Sequence, residues 1–135
     1  GGTSWPRVEQ LRAKDDRSRE LGELLSDWGI PTAACVAGAR AVAPELQIVA
    51  SGGLRSGLDV ARALALGADA AAFALPLVRA HQEGGAEGAR ATLLGILTAL
   101  RAAFLLCGAR NLVALRASRP VILDPLRTWI EGLAE

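Results

Sequence analysis

The sequence predicts an α/β fold built on a parallel sheet with crossover helices. Three observations carry this prediction. A short β-branched run, Gln47-Ile48-Val49-Ala50, lies between Pro44 and Gly52-Gly53; a helical segment follows it; and a second short apolar run occupies residues 70–75. Strand, helix, strand is the order that makes parallel sheets, because a parallel neighbour is reached only through a long crossover. At 135 residues and 51% hydrophobic, the chain has material for one core and is read as part of a single domain over 1–135.

From the N-terminus, Trp5-Pro6 leads into an amphipathic segment carrying Val8 and Leu11. The run Lys14-Asp15-Asp16-Arg17-Ser18-Arg19-Glu20 is a solvated loop or helix surface. Leu21, Leu24, Leu25 and Trp28 then follow helical spacing as far as Gly29. Pro31-Thr32 signals the next helix, with the Thr32 side chain placed to accept from the first free backbone N–H groups, and helix formers fill 33–42 before Pro44. The strand over 47–50 suits a buried parallel sheet. Ser56-Gly57-Leu58-Asp59 has the spacing of a capping box, opening a helix over 60–66 that Gly67 stops. The run 70–75, closed by Pro76, is the second strand; alanines weaken it, but its length and position favour strand over helix. A long helix over about 87–107 spaces Leu93, Leu97, Leu100, Phe104 and Cys107 by four and three, with Gly108 beyond its end. The tail from Asn111 holds a short helix, a turn at Pro120 and an amphipathic helix around Leu126, Trp129 and Ile130. Two strands alone leave both sheet edges open, so further strands are expected on sequence outside these residues.

Fifteen Lys and Arg against fourteen Asp and Glu give a net charge of +1, with the basic residues scattered, which argues against nucleic acid as a partner. Cys35 and Cys107 lack Cys-x-x-Cys or histidine partners and read as inert packing residues of a reduced, cytoplasmic protein. Trp5, Trp28 and Trp129 are dispersed and read likewise as packing residues. Apolar stretches such as 70–78 are about half the length of a bilayer span, so no membrane partner is expected. There is no methionine, and the opening Gly1-Gly2-Thr3-Ser4 lacks the regions of a signal peptide and does not resemble a natural start.

The residues that suggest chemistry are Ala50-Ser51-Gly52-Gly53-Leu54-Arg55-Ser56-Gly57, placed where a strand ends and a helix begins. Glycines there let the backbone approach an anion, while free N–H groups and the helix dipole favour negative charge. A phosphate is the natural ligand, since two glycines, an arginine and a third glycine exceed what a tight turn needs. Phe73-Ala74-Leu75-Pro76, one strand-helix unit later, is the neighbouring wall of the same site. His81 lies in a polar stretch beside Gln82 and Glu83 and is read as a surface residue. With no tyrosine and Lys14 the only lysine, general acids and bases are scarce, so no catalytic residue and no metal ligand is assigned.

Several blocks together resemble a known family. Gly1-Gly2-Thr3-Ser4-Trp5 with Val8-Glu9, Asp27-Trp28-Gly29-Ile30-Pro31-Thr32, the Gly-Gly loop running on through Leu58-Asp59-Val60 to Gly67-Ala68, and Ala74-Leu75-Pro76 look like the C-terminal part of type 2 isopentenyl-diphosphate isomerases. The Gly-Gly-x-Arg-x-Gly-x-Asp block is shared with other FMN barrels; its pairing with Gly-Gly-Thr-Ser-Trp and Trp-Gly-Ile-Pro-Thr points to the isomerases. The resemblance implies a TIM (β/α)8 barrel, of which this chain supplies the end of strand 6 and strands 7 and 8 with their helices. It implies interconversion of isopentenyl and dimethylallyl diphosphate with reduced FMN and magnesium, NADPH serving as reductant, by an oligomer when complete. Thr3 would contact FMN, Gly52, Gly53, Leu54 and Arg55 would line its phosphate site, and the backbone at Ala74 and Leu75 would complete it. The magnesium ligand and the substrate-binding residues belong to earlier segments. Leu54 in place of isoleucine, Arg62 in place of lysine and Ala72-Phe73 in place of smaller residues are departures. Two other readings compete: a fragment of a hydroxyacid-oxidase-like FMN barrel, and a non-catalytic phosphate-binding half-barrel.

Overall fold

The computed structural model of the chain describes residues 4–133. In chain order its elements are α1 (Trp5–Arg12), α2 (Asp16–Leu24), α3 (Thr32–Val42), β1 (Val49–Ser51), α4 (Gly57–Ala65), β2 (Ala70–Ala72), α5 (Leu75–Leu106), α6 (Leu112–Ala117) and α7 (Leu126–Gly132). The two strands are parallel, with Val49 opposite Ala70, Ala50 opposite Ala71 and Ser51 opposite Ala72, and α4 makes the crossover between them. The predicted α/β alternation therefore stands.

Helix starts follow local chemistry. Asp15 caps α2 by accepting from the Ser18 backbone N–H at 2.8 Å, and Asn111 caps α6 by accepting from the Ala114 N–H at 2.9 Å. The Ser56–Asp59 capping box opens α4 as its spacing predicts. Thr32 departs from expectation: it is the first helical residue of α3, the cap position belongs to Pro31, and no side chain caps that helix. The helix expected to reach Gly29 stops at Leu24, and a turn carries the chain to Gly29.

Both strands are shorter than their sequence patterns predict, and β1 is also shifted later, whereas β2 starts at Ala70 as expected. β1 begins at Val49 because the Ile48 N–H donates to the Asp69 carboxylate at 2.9 Å rather than to a ladder partner. β2 ends at Ala72 because Leu75-Pro76 opens α5. Proline has a fixed φ and no N–H, so it suits the first turn of a helix, and here it starts one rather than closing a strand. α5 thus starts twelve residues before the predicted 87, at Leu75, and takes in His81, which is exposed. It is broken at Gly84 (φ −133°, ψ 17°) and Gly85 (φ 61°, ψ −154°), which separate residues 75–83 from 86–106.

One face of the two strands is covered and the other is open. Ala50 is 2% exposed and joins Val36, Ile48, Val60, Leu64, Ile96 and Leu115 in the core, whereas its neighbour Val49 is 60% exposed on the opposite face. That is the period of two that a pleated strand imposes. α4 packs backbone to backbone on α5: a Cβ at Gly57 would lie 2.2 Å from the Ile96 carbonyl oxygen. The expectation that no segment has the length and apolarity of a bilayer span is corrected at α5, whose most apolar 18 residues have a mean hydropathy of 1.6. Its Ile96 is buried and Leu100 packs on the core, while Leu94 and Leu105 are exposed.

At the N-terminal end of the strands, Asp69 draws four elements together. Its carboxylate pairs with Arg40 of α3 and Arg116 of α6, each at 2.7 Å, and accepts from the Ile48 N–H ahead of β1. Arg40 also donates to the Gly67 carbonyl at 2.8 Å and to the Pro44 carbonyl, and Arg116 to the Ala68 carbonyl at 2.7 Å. The Arg116 hydrogen bond first, then the Ile48 N–H and Arg40, outweigh partial burial and hold the Asp69 carboxyl down to about 2.

The aromatic and thiol residues read as packing groups are not buried. Trp5, Trp28 and Trp129 are exposed, as are Cys35 and Cys107. The exposure is local to these side chains, since Ala34 and Val36 on either side of Cys35 are buried.

Candidate anion-binding site

Because Ser51 and Ala72 are in register, the segments leaving β1 and β2 emerge side by side. Gly52, Gly53, Leu54 and Arg55 from the first, and Phe73, Ala74 and Leu75 from the second, line one cavity of about 460 Å³. The structure so brings together every described residue that the sequence places in the site. Thr3 lies outside the described residues.

The backbone, more than the side chains, shapes this cavity. Gly52 and Gly53 adopt φ of 98° and 82°, a region that side chains rarely enter. A Cβ at Gly53 would meet no atom within 4 Å, so the glycine leaves open space above the loop. Leu54 is only 5% exposed and pins the loop into the core, offering the cavity its backbone alone. Among the described residues, the N–H groups of Gly52, Gly53, Leu54, Ala74 and Leu75 donate to no acceptor. Residues lining one cavity thus carry five free backbone donors, a group of the kind that can bind an anion.

The two helices that open at the cavity differ in what they offer. Asp59 Oδ2 accepts from the Arg55 N–H at 3.1 Å, the Ser56 N–H at 3.0 Å and the Ser56 hydroxyl at 2.8 Å. Partial burial opposes ionisation of Asp59, but Ser56, the two N–H groups and Arg62 together hold its carboxyl below the ordinary carboxylate range. The start of α4, where the sequence places an anion, therefore already carries one. The start of α5 has no side-chain cap, so its first N–H groups and positive dipole end are left for a ligand. Arg55 adds a positive charge: it is exposed, makes no ion pair among the described residues, and donates one bond to the Leu54 carbonyl at 3.1 Å.

A second cavity of about 380 Å³ shares the glycine pair with the first and is lined also by Thr32, Asp59 and Arg62 among others. The Thr32 hydroxyl donates to the Gly52 carbonyl at 2.7 Å and lies 3.3 Å from that of Ser51. Sequence spacing reads Thr32 as a helix cap; the tie it makes between α3 and the loop joins positions 20 residues apart and carries no local signal. No cluster of three or more His, Cys, Asp or Glu able to hold a metal occurs among the described residues.

Free backbone donors at the ends of two parallel strands are an arrangement able to hold an anion. The family model for FMN-dependent dehydrogenase matches residues 27–121, a span that includes both strands and the whole cavity wall. This chain belongs to the FMN-dependent dehydrogenase family. Within that likeness it is 48% identical, over 119 residues, to the isopentenyl-diphosphate delta-isomerase of Nostoc sp., a match covering 87% of the chain and 33% of the relative. It is 46% identical over 131 residues to the protein of that name from Thermococcus onnurineus, covering 97% of the chain and 35% of the relative. The protein of that name from Methanopyrus kandleri is 39% identical over 132 residues, covering 97% and 36%. The chain thus spans about a third of the length of these relatives.

Proposed function

We propose that the whole protein is an FMN-dependent isopentenyl-diphosphate delta-isomerase and that this chain supplies the cradle for the flavin phosphate. The observation that carries the reading is the set of five free N–H groups around one cavity, built from the residues of the isomerase-like blocks. In this reading β1 and β2 are strands 7 and 8 of a TIM barrel, whose phosphate sites lie at the loops after those strands and at the start of a short extra helix. Residues 75–83, cut off from the rest of α5 by Gly84 and Gly85, have the place of that helix.

The residues present fit an FMN phosphate. Gly52, Gly53 and Leu54 would hold it from one side, Ala74 and Leu75 from the other, and Arg55 would neutralise it; Thr3 would touch the cofactor. A rigid set of amide donors binds a dianion with little reorganisation, and bonds to charged acceptors contribute about 1.5–3 kcal/mol each. Bound reduced flavin supplies the proton chemistry by which a double bond moves between carbons. That agrees with the absence of any acid-base pair in the cradle: the work of this chain is to bind and orient. Magnesium, the allylic and homoallylic diphosphate substrates and NADPH as reductant are assigned to the whole protein, with the metal and substrate ligands outside these residues.

The test is conversion of isopentenyl to dimethylallyl diphosphate by the whole protein with reduced FMN and magnesium, without net oxidation of substrate. A second reading, oxidation of a 2-hydroxy acid, is favoured by the description of the family model. Hydroxyacid-dependent oxygen uptake with no isomerisation would establish that reading and overturn the first.

A further inference from the structure

Thr32 ends the Trp28-Gly29-Ile30-Pro31-Thr32 block, and its hydroxyl reaches across to the Gly52 carbonyl at 2.7 Å. Gly52 and Gly53 are both at positive φ, and the peptide between them is trans. A planar trans peptide points its C=O and N–H in opposite directions, so holding the Gly52 oxygen fixes where the Gly53 N–H points. Two cavities share this peptide in their walls: Thr32 lines one and is absent from the wall of the other, where Ala74 and Leu75 sit. Glycines on both sides of a peptide offer little steric resistance to its rotation by half a turn. Such a flip would turn the carbonyl oxygen, a repulsive group, toward the anion.

We propose that Thr32 is a positioning residue whose hydroxyl holds the Gly52 carbonyl away from the anion cavity and thereby aims the Gly53 N–H into it. The inference rests on the reading of the cavity as a flavin phosphate cradle. It gives the Thr32 block a role in cofactor binding with no contact to the cofactor. Threonine carries a methyl group beside its hydroxyl, so side-chain shape and hydroxyl must be separated by experiment.

The experiment measures affinity of the whole protein for FMN and for riboflavin, which shares the ring system and lacks the phosphate, in the parent and in Thr32→Val and Thr32→Ser. Thr32→Val keeps the shape and removes the hydroxyl; its FMN dissociation constant is expected to rise about ten- to a hundredfold, the range for one bond to a charged group. Riboflavin affinity should change by less than about twofold, showing an intact fold. Thr32→Ser should hold FMN within about threefold of the parent, and the phosphorus NMR shift of its bound FMN should match the parent's. Equal FMN affinity in parent and Thr32→Val would overturn the inference, as would a Thr32→Ser variant as weak as Thr32→Val. If Thr32→Val does not fold, the affinity and phosphorus shift of Thr32→Ser decide the matter alone. A parent that binds FMN no better than riboflavin removes the phosphate reading itself, a failure distinct from the other two.

Discussion

Two residues at opposite ends of the strands make the residue-scale case. Gly53 sits at φ 82° with nothing beyond its chain neighbours within 4 Å of its Cβ position, so a valine there would suffer from its backbone conformation and from filling the anion's approach. Gly53→Val is therefore expected to weaken FMN binding by about a hundredfold in a titration of the whole protein, with riboflavin much less affected; unchanged FMN affinity would remove the glycine from the site. Asp69 works on stability instead. Its folded value of about 2 lies below the ordinary 3.8, so its stabilising effect is complete above that ordinary value and is lost as pH falls from about 4 to about 2. The stability gap between parent and Asp69→Asn, read from urea midpoints, should narrow across that window; a constant gap would mean that the carboxylate charge does not matter. The glycine was legible because its demand is local, a turn at a strand end. Asp69, Arg40 and Arg116 were not, because they stand 29 and 47 residues apart and meet only once the sheet and helices are assembled.

Elements add a contrast within one helix pair. Gly57 at the start of α4 has the Ile96 carbonyl oxygen 2.2 Å and the Leu100 nitrogen 2.5 Å from where a Cβ would sit, and backbone atoms cannot turn aside as a flexible side chain can. Gly57→Ala should destabilise by about 1–3 kcal/mol through overpacking. Gly95, in the same stretch of α5, has nothing within 4 Å of its Cβ position, so Gly95→Ala should stabilise by about 0.5–1 kcal/mol through helix propensity alone. Denaturant unfolding of the two variants checks both signs, and a loss on Gly95→Ala would mean that this face of α5 meets something in solution. The same elements show where sequence reading succeeds. The Ser56–Asp59 box, the glycine stop at Gly67 and the Asn111 start are contacts over three or four residues, and all were legible or lie where a helix was expected. Strand limits were not, since β1 is trimmed by a bond from Ile48 to a carboxylate beyond α4. The break at Gly84 and Gly85 hides in a run whose average composition is helical on both sides.

At the scale of the whole molecule the buried groups are unevenly spread. The apolar core runs from Ala34 to Leu115, whereas in α1 and α2 the one buried residue is Gly22, whose Cβ position lies 2.8 Å from the Pro6 carbonyl oxygen. These two helices pack chiefly on each other, and Leu24 and Trp28 beside them are 79% and 83% exposed. Local stability follows burial, so the chain should open in two steps rather than one. Native-state hydrogen exchange of the 135-residue chain is expected to show residues 5–24 exchanging through low-energy openings, while amides of α4 and of Ala50 exchange only near global unfolding. The burial of Trp5 and Trp28 could not be read from their own sequence because it depends on what lies against them, and the relatives are about three times as long. Repeating the exchange in the whole protein separates the two possibilities. If residues 5–24 become as protected as Ala50 there, the exposed face of α1 and α2 is an internal surface of a larger barrel; if they stay open, it is a true exterior, and the barrel reading must place the rest of the protein against β1 and α5 alone.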